Sequence, residues 1–365
     1  MYPIYQHNVE PERYEALLRS KADTLAAQLA PFAAPELEVH ASSPAGFRLR
    51  AEFRLWHDGD RCFYAMHAPG DKTTTYEVTS FPIAAPLIQR LMPQLLDAIH
   101  ASDVLRQRLF QVEFLTTLSG DALITLIYHK ALTDEWQQHA EQLQQELGVA
   151  VIGRSRKQKR VLSRDYVTET LQVDGQSYQY RQIEGGFTQP NGEMNQHMLS
   201  WARDCSEGIG GDLLELYCGN GNFSIALANC FERVLATEIA KTSVHAAQAN
   251  IRDNQVNNLD IIRLSSEEFV QALRGEREFR RLEGIDLGSY DFRTVLVDPP
   301  RAGLDEESVR QIQAYDQIIY ISCNPQTLAD NLQTLTATHR IERAALFDQF
   351  PYTHHTEAGV LLRRK

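Results

Sequence analysis

The sequence predicts an α/β protein: a mostly parallel sheet with helices on both faces and an antiparallel last strand in the second half, preceded by an N-terminal α+β domain. Three observations predict it. From about Gly211, apolar strand-like runs alternate with helical stretches, the pattern of parallel strands joined by crossover helices. At the end of the chain, Ala344 to Phe350 and Gly359 to Leu362 read as strands joined without a helix, so a closing hairpin makes the last strand antiparallel. Before Gly211, strand-like runs are joined by short polar turns instead.

Taken in order, Phe47 to Trp56 is strand-like, and Asp58-Gly59-Asp60 is a turn before a second run, Arg61 to His67. Gln111 to Leu118 and Ala122 to His129 flank Ser119-Gly120-Asp121 as a hairpin. Asp134 to Leu147 is polar with spaced Trp136 and Leu143, an exposed helix ending near Gly148. Val149 to Ile152 is a short strand. In the second half the candidate strands are Leu213–Leu216, Val234–Thr237, Ile261–Leu264, Thr294–Val297 and Ile318–Ile321. The boundary lies between Tyr178 and Gly211, bridged by a helix around Met194 to Cys205. We place the domains at 1–185 and 186–365.

Composition narrows the function. A chain of 365 residues suggests roughly two domains. A formal net charge of −12 argues against a globally basic nucleic-acid coat. It leaves room for a local basic face, and Arg154, Arg156, Lys157, Lys159 and Arg160 form one such segment, with a solvated loop as the alternative. The five cysteines, Cys62, Cys205, Cys218, Cys230 and Cys323, contain no CxxC pair, so a zinc ribbon or thioredoxin-type motif is unsupported. Free thiols fit a reducing compartment. Met1 to Glu10 has no basic-then-apolar pattern, and no apolar run approaches the ~18 residues of a membrane span, so a cytoplasmic location is expected.

Glu215-Leu216-Tyr217-Cys218-Gly219-Asn220-Gly221-Asn222-Phe223 follows an apolar strand and precedes a helical run. Gly219 and Gly221 permit a tight turn and close approach of backbone to a ligand. Glu238 ends the next strand, where a carboxylate meets ribose hydroxyls in such sheets. Ser224 stands where a dinucleotide fingerprint wants its third glycine, so a nucleoside without pyrophosphate fits better; a glycine turn with no ligand is the alternative. Asp298-Pro299-Pro300-Arg301 and Ser322-Cys323-Asn324-Pro325 each follow a strand and so belong at the same carboxyl edge of the sheet. A free cysteine is ordinarily a buried packing residue. Cys323, in a loop with Asn and Pro, points to chemistry instead. Glu357, in the final hairpin after His354 and His355, suggests a general base beside it. Two adjacent histidines could bind a metal, but no third ligand stands at familiar spacing, and no metal site is expected.

Together, Glu215–Phe223, Asp298-Pro299-Pro300-Arg301, Ser322-Cys323-Asn324-Pro325 and His355-x-Glu357 resemble the RNA 5-methyluridine methyltransferase family. The similarity runs over nearly the whole chain and includes Arg48–Arg54, Ser80-Phe81-Pro82, Phe187–Asn191 and Phe347–His355. It implies a Rossmann-like S-adenosylmethionine methyltransferase sheet behind an N-terminal RNA-binding domain. It implies S-adenosylmethionine as cofactor, held by Gln189, Tyr217, Asn222, Glu238 and Asp298 around Gly219 and Gly221. It implies Cys323 as a nucleophile that adds to C6 of uracil, and Glu357 as the base that removes the C5 proton. The implied substrate is the T-loop uridine at position 54 of tRNA, with T-loop-like structures of transfer-messenger RNA as a second target, acted on by a monomer. Phe187 is the candidate for stacking on a flipped base, with an ordinary interdomain core phenylalanine as its alternative. Arg48, Arg50 and Arg54 alternate along one strand and could meet phosphates, and Arg301 could hold a phosphate or a carbonyl.

Relatives acting on ribosomal RNA often carry an extra β-barrel module and a cysteine-ligated iron–sulfur cluster. This chain has neither the length nor the cysteines, which favours the tRNA-acting branch. The competing readings are an rRNA 5-methyluridine enzyme, a 5-methylcytosine enzyme (whose cysteine usually follows the fourth strand, where this chain has Asp298-Pro299-Pro300-Arg301), an exocyclic-amine methyltransferase and an RNA-folding protein with secondary catalysis.

Overall fold

The computed structural model describes residues 9–365 apart from 60 and 69–70. The N-terminal residues expected to lack a targeting pattern are therefore mostly outside the described residues, as is Asp60 of the expected turn. The chain forms two compact units, each built from separate stretches: 1–12, 43–170 and 182–192 in the first, and 13–42, 171–181 and 193–365 in the second.

This differs from a single cut at 185. Residues 13–42 pack with the second unit because Leu37–His40 adds to its sheet as a parallel partner of His339–Phe347, with Leu37 opposite Ala344 and His40 opposite Phe347. The hairpin Tyr166–Val173 and Gln176–Ile183 is shared between the two units, so the chain crosses the division along both of its strands.

The first unit holds a seven-stranded sheet in the order Asp71–Glu77, Arg61–Ala68, Arg50–Asp58, Leu109–Thr116, Ala122–Tyr128, Ala150–Ser155, Gln158–Val161. Ala51, Phe53 and Leu55 alternate inward, as a strand period of two requires. Helices Pro86–Ala101 and Asp134–Leu147 supply buried Ile88, Leu91, Leu95 and Ile99, and Trp136, Ala140 and Leu143. The second of these has the predicted bounds: the Thr133 hydroxyl accepts from the Trp136 N–H at its start, and Gly148 ends it in the left-handed region. The basic segment is not an open loop. It forms the hairpin Ala150–Ser155 and Gln158–Val161, turned at Lys157.

The second unit holds an eight-stranded sheet in the order Leu37–His40, His339–Phe347, Glu357–Arg364, Gln317–Ser322, Phe292–Val297, Asp212–Leu216, Val234–Thr237, Leu259–Ile262. The central strands are parallel and buried on both faces, and Glu357–Arg364 runs antiparallel to both of its neighbours. The predicted α/β class and closing hairpin stand. The third predicted strand lies two residues earlier than expected: Leu264 is buried, but it turns back to bond the Ile262 carbonyl and leads into Ser265, which caps the next helix.

Candidate active site

Strand register brings the second unit's reactive groups together. Leu216 lies opposite Val297, and Val297 opposite Tyr320, so Tyr217 and Asp298 emerge side by side at the carboxyl edge. Ser322 lies opposite Ala358. Because that last strand is antiparallel, its start meets the end of Gln317–Ser322, and Glu357 stands beside Cys323. A parallel last strand would have put Glu357 at the far edge.

The loops are held from behind. The Asn324 side chain accepts from the Gln326 N–H (3.2 Å), capping helix Pro325–Leu335, and donates to the Arg301 carbonyl (3.0 Å), joining the Cys323 loop to the Asp298 loop. Asn331, on that helix, accepts from the Leu304 N–H (3.1 Å) and the Tyr320 hydroxyl (2.8 Å). Gly303 turns the Asp298 loop at φ +75°, and a Cβ there would meet the Thr327 Cβ at 2.9 Å.

The electrostatics are unusual for solvent-reachable chemistry. Glu357 is 4% exposed, and burial together with the neighbouring Asp298 raises its carboxyl well above the usual range. Asp298 keeps part of its surface open, yet desolvation pushes it up to about 7. Burial, Glu357 and Asp298 push the Cys323 thiol up to about 11, against a smaller opposing pull from Arg301. Asn324 caps the helix directly after Cys323, so the helix N-terminus favours the thiolate, but burial and the two neighbouring carboxyls outweigh it. Deeper in the first strand, Glu215 is buried and pushed up to about 8 by desolvation. One of its oxygens accepts from the Ser224 hydroxyl and the other has no partner.

Beside these groups the glycine turn makes a second pocket wall. Gly219 and Gly221 have φ +56° and +83°, and a Cβ on Gly219 would meet nothing within 4 Å, so the turn faces open space. Tyr217 adopts φ +64°, a conformation that costs a non-glycine residue of order 1–3 kcal/mol, and its hydroxyl lies 2.7 Å from that of Ser266. Glu238 accepts from the Gly219 N–H (3.0 Å) and the Ala240 N–H (2.7 Å), which fixes it under the turn. Asn222 exchanges two 2.9 Å amide bonds with Asn195. Ile239, which the sequence reading passed over, is 62% exposed beside Glu238 and offers an apolar face for a flat ring. Carboxylates, amides and hydroxyls around an open glycine turn suit ribose hydroxyls and a cationic sulfonium, and disfavour a pyrophosphate. The residues present fit S-adenosylmethionine.

The remaining predicted residues, Arg301 excepted, lie in the first unit. Phe187 is 73% exposed. Gln189 lies in the same connecting segment, just before helix Gly192–Cys205. Arg48 and Arg50 do not stand out to meet phosphates. Arg48 is half-buried and its Nε donates to the Arg50 carbonyl (2.8 Å), while Arg50 donates to the Gly186 carbonyl (2.8 Å) and lies 3.8 Å from Glu113. The Leu49 N–H donates to the Pro190 carbonyl (2.8 Å), so this strand start braces the segment that carries Phe187 and Gln189. The basic hairpin is also largely neutralised: Arg154 binds Glu184 through two nitrogens (2.5 and 2.6 Å), Lys159 reaches Asp165 and Glu184, and Arg160 reaches Asp134. Arg301, in the second unit, is exposed.

A different surface appears on the first sheet. The Arg54 guanidinium lies over the Phe110 ring at 5.0 Å, and exposed His129 stacks on that ring at 4.2 Å and 21°. Alternation of polar and apolar residues gave a signal for Arg54. It gave none for Phe110, which is turned outward by a register shift between Leu109 and Gln111.

Over residues 13–365 the sequence matches the tRNA (Uracil-5-)-methyltransferase family. The chain belongs to that family. It is 56% identical over 367 residues to the tRNA/tmRNA (uracil-C(5))-methyltransferase of Actinobacillus pleuropneumoniae serotype 3 (strain JL03), covering 98% of this chain and 100% of the relative. It is 54% identical over 365 residues to the enzyme of the same name from Vibrio cholerae serotype O1 (strain M66-2), covering 98% and 99%. Its fold is similar to that of Pyrococcus abyssi tRNA (uracil-54, C5)-methyltransferase in complex with S-adenosyl-L-homocysteine, with a TM-score of 0.72, 21% identity, and coverage of 96% of this chain and 83% of the other. As a family member the protein is an S-adenosylmethionine-dependent uracil-C5 methyltransferase. Among the described residues, no helix is long and apolar enough to cross a membrane.

Proposed function

We propose that this enzyme methylates C5 of the T-loop uridine at position 54 of tRNA, and the corresponding loop of transfer-messenger RNA, through a covalent adduct on Cys323, acting in the cytoplasm as a single chain. The observation that carries this reading is the placement of Cys323, Asp298 and Glu357 at one strand edge by an antiparallel last strand.

Uracil C5 is a weak nucleophile. The Cys323 thiolate adds to C6, forming an S–C6 bond and moving the C5–C6 electron pair into an enolate through O4. Bound S-adenosylmethionine supplies a methyl group on a positively charged sulfur, and Gly219, Gly221, Tyr217, Asn222, Glu238 and Asp298 are the residues suited to hold it. C5 takes that methyl and becomes tetrahedral, still carrying its proton. Glu357 removes the proton, the C5–C6 double bond re-forms, and the S–C6 bond breaks to release the thiolate. Asp298 sits between the two halves of the site, where its carboxyl would face the cationic side of a bound cofactor.

The target base must leave its stack, and a flipped base needs a π face. Phe187 supplies one. Arg54, Phe110 and His129 form a stacked, partly cationic platform suited to neighbouring unpaired nucleotides.

The test is incubation with methyl-labelled S-adenosylmethionine and an unmodified tRNA transcript, followed by digestion. The expected product is labelled 5-methyluridine from the T-loop, absent with Cys323→Ala. Label in cytidine or an exocyclic amine, or full activity in Cys323→Ala, would overturn the mechanism. Label confined to ribosomal RNA would overturn the substrate.

A further inference from the structure

We propose that the N-terminal helix carries a positioning clamp, Tyr14 and Lys21 on Asp348, which holds the base-bearing segment so that Glu357 can reach the C5 proton of the adduct. This rests on the assignment of Glu357 as the base.

The segment 348–356 joins His339–Phe347 to Glu357–Arg364, and Glu357 lies opposite Phe347 at its closing end. A turn of this length so close to the reacting group would wander unless tied down, and the ties come from more than 300 residues away. The Tyr14 hydroxyl donates to Asp348 Oδ2 (3.0 Å) and accepts from the Ser42 N–H (2.7 Å). Lys21 Nζ donates to Asp348 Oδ1 (2.7 Å) and to the Phe350 carbonyl (2.8 Å). The Lys21 and Asp348 side chains are 9% and 1% exposed. The Tyr14 ring lies 6.0 Å from that of Tyr352, which is held at φ +64°. At the near end, the Asp348 N–H donates to the His40 carbonyl (3.1 Å), on the strand that follows the helix.

Stability alone does not call for this arrangement. Burying a lysine–aspartate pair costs desolvation that well-packed apolar residues avoid, so such a pair contributes little net stability. Its distinguishing property is direction. One ammonium fixes a carboxylate and a carbonyl two residues apart, and one phenol fixes the other carboxylate oxygen. Together they hold the turn rigidly enough to keep a non-glycine residue in the left-handed region. A base that must reach a carbon-bound proton needs that kind of support, because small displacements of a reacting group cost large factors in rate.

Tyr14→Phe keeps the ring and removes the hydrogen bonds. Lys21→Met keeps most of the stem and removes the charge. The assay follows adduct formation and decay in single turnover on denaturing gels with labelled tRNA, beside kcat, KM and cofactor affinity by calorimetry. Loss of the clamp slows adduct decay by ten-fold or more, lowers kcat by the same factor, and leaves adduct formation, KM for tRNA and cofactor affinity within two-fold. Lys21→Arg, which retains a donor, recovers part of the decay rate. Adduct decay unchanged in folded Tyr14→Phe and Lys21→Met overturns the clamp. So does an equal slowing of formation and decay, the mark of a purely structural role. Glu357→Gln and Cys323→Ala run alongside: rapid decay in the first, or an adduct in the second, overturns the mechanism itself rather than the clamp.

Discussion

Replacing Glu357 by Gln separates the two halves of the reaction. Glu357 is buried, and burial and Asp298 raise its carboxyl well above the usual range, so the site disfavours a charge at this position. Gln has the same shape and is uncharged, and the melting temperature of the variant should match the parent within about 2 °C. What the variant loses is the ability to accept a proton. General-base catalysis contributes about 10²–10⁴-fold, or about 2.7–5.4 kcal/mol at 1.36 kcal/mol per decade. Turnover should fall by that factor, while addition of Cys323 and methyl transfer, which come earlier, continue. The variant should therefore accumulate one covalently bound, already methylated RNA per enzyme. Labelled cofactor and a denaturing gel read this directly: radioactivity migrates with the protein. The reasoning is refuted if Glu357→Gln turns over normally, or if the label is released as free 5-methyluridine RNA at the parental rate.

Two further outcomes follow from the geometry. Arg50 braces the Phe187 segment through the Gly186 carbonyl, so Arg50→Ala should weaken tRNA binding without changing its salt dependence, as should loss of the stacking ring in Phe110→Ala; a log–log salt slope shallower by about 0.7–0.9 for Arg50→Ala would show a phosphate contact instead. Glu215, pushed up to about 8, binds more protons folded than unfolded between its ordinary value and 8; its stabilising contribution is complete below the ordinary carboxylate range and is lost as pH rises through that window. The lowered histidines His40, His339 and His355 act in the opposite direction through the ordinary imidazole range, so the comparison is with the variant: between pH 7 and 8.5 the melting temperature should fall less steeply in Glu215→Gln than in the parent, and a steeper fall in the variant would refute the assignment.

The central sheet was legible because strands buried on both faces must be apolar throughout, and turns at their carboxyl ends must carry Gly, Pro or Asn. That is why Val234–Thr237 matches its predicted bounds, and why Gly219, Asp298 and Cys323 could be placed on one edge. The same logic misplaced the strand near Leu264, because apolarity reports burial and not extension. Leu37–His40 left no local signal: it is four residues long and pairs with a strand some 300 residues away. The clamp is non-local in the same way, since nothing near Tyr14 or Lys21 names Asp348. Arg48 and Arg50 show another limit. Arg50 opens its strand and Arg48 precedes it, and a pattern of alternation cannot tell a guanidinium facing solvent from one bonded to a backbone carbonyl.

The crowding of acids around Cys323 raises a question about proton order. Burial raises the proton affinity of all three groups, Asp298 adds to that of Glu357, and both carboxyls add to that of the thiol, so the site disfavours both the thiolate and the ionised base. A sulfonium placed among them offsets this: one positive charge favours ionisation of every acid nearby. On the proposed mechanism Cys323 would lose its proton most easily with that charge beside it, and would then add to C6. Once the charge was gone, the acids would again face one another without a counter-charge, and Glu357 would have its greatest affinity for a proton at the step where C5 must give one up. On this reading the raised carboxyl is an asset, because a base with a low proton affinity would leave the adduct in place.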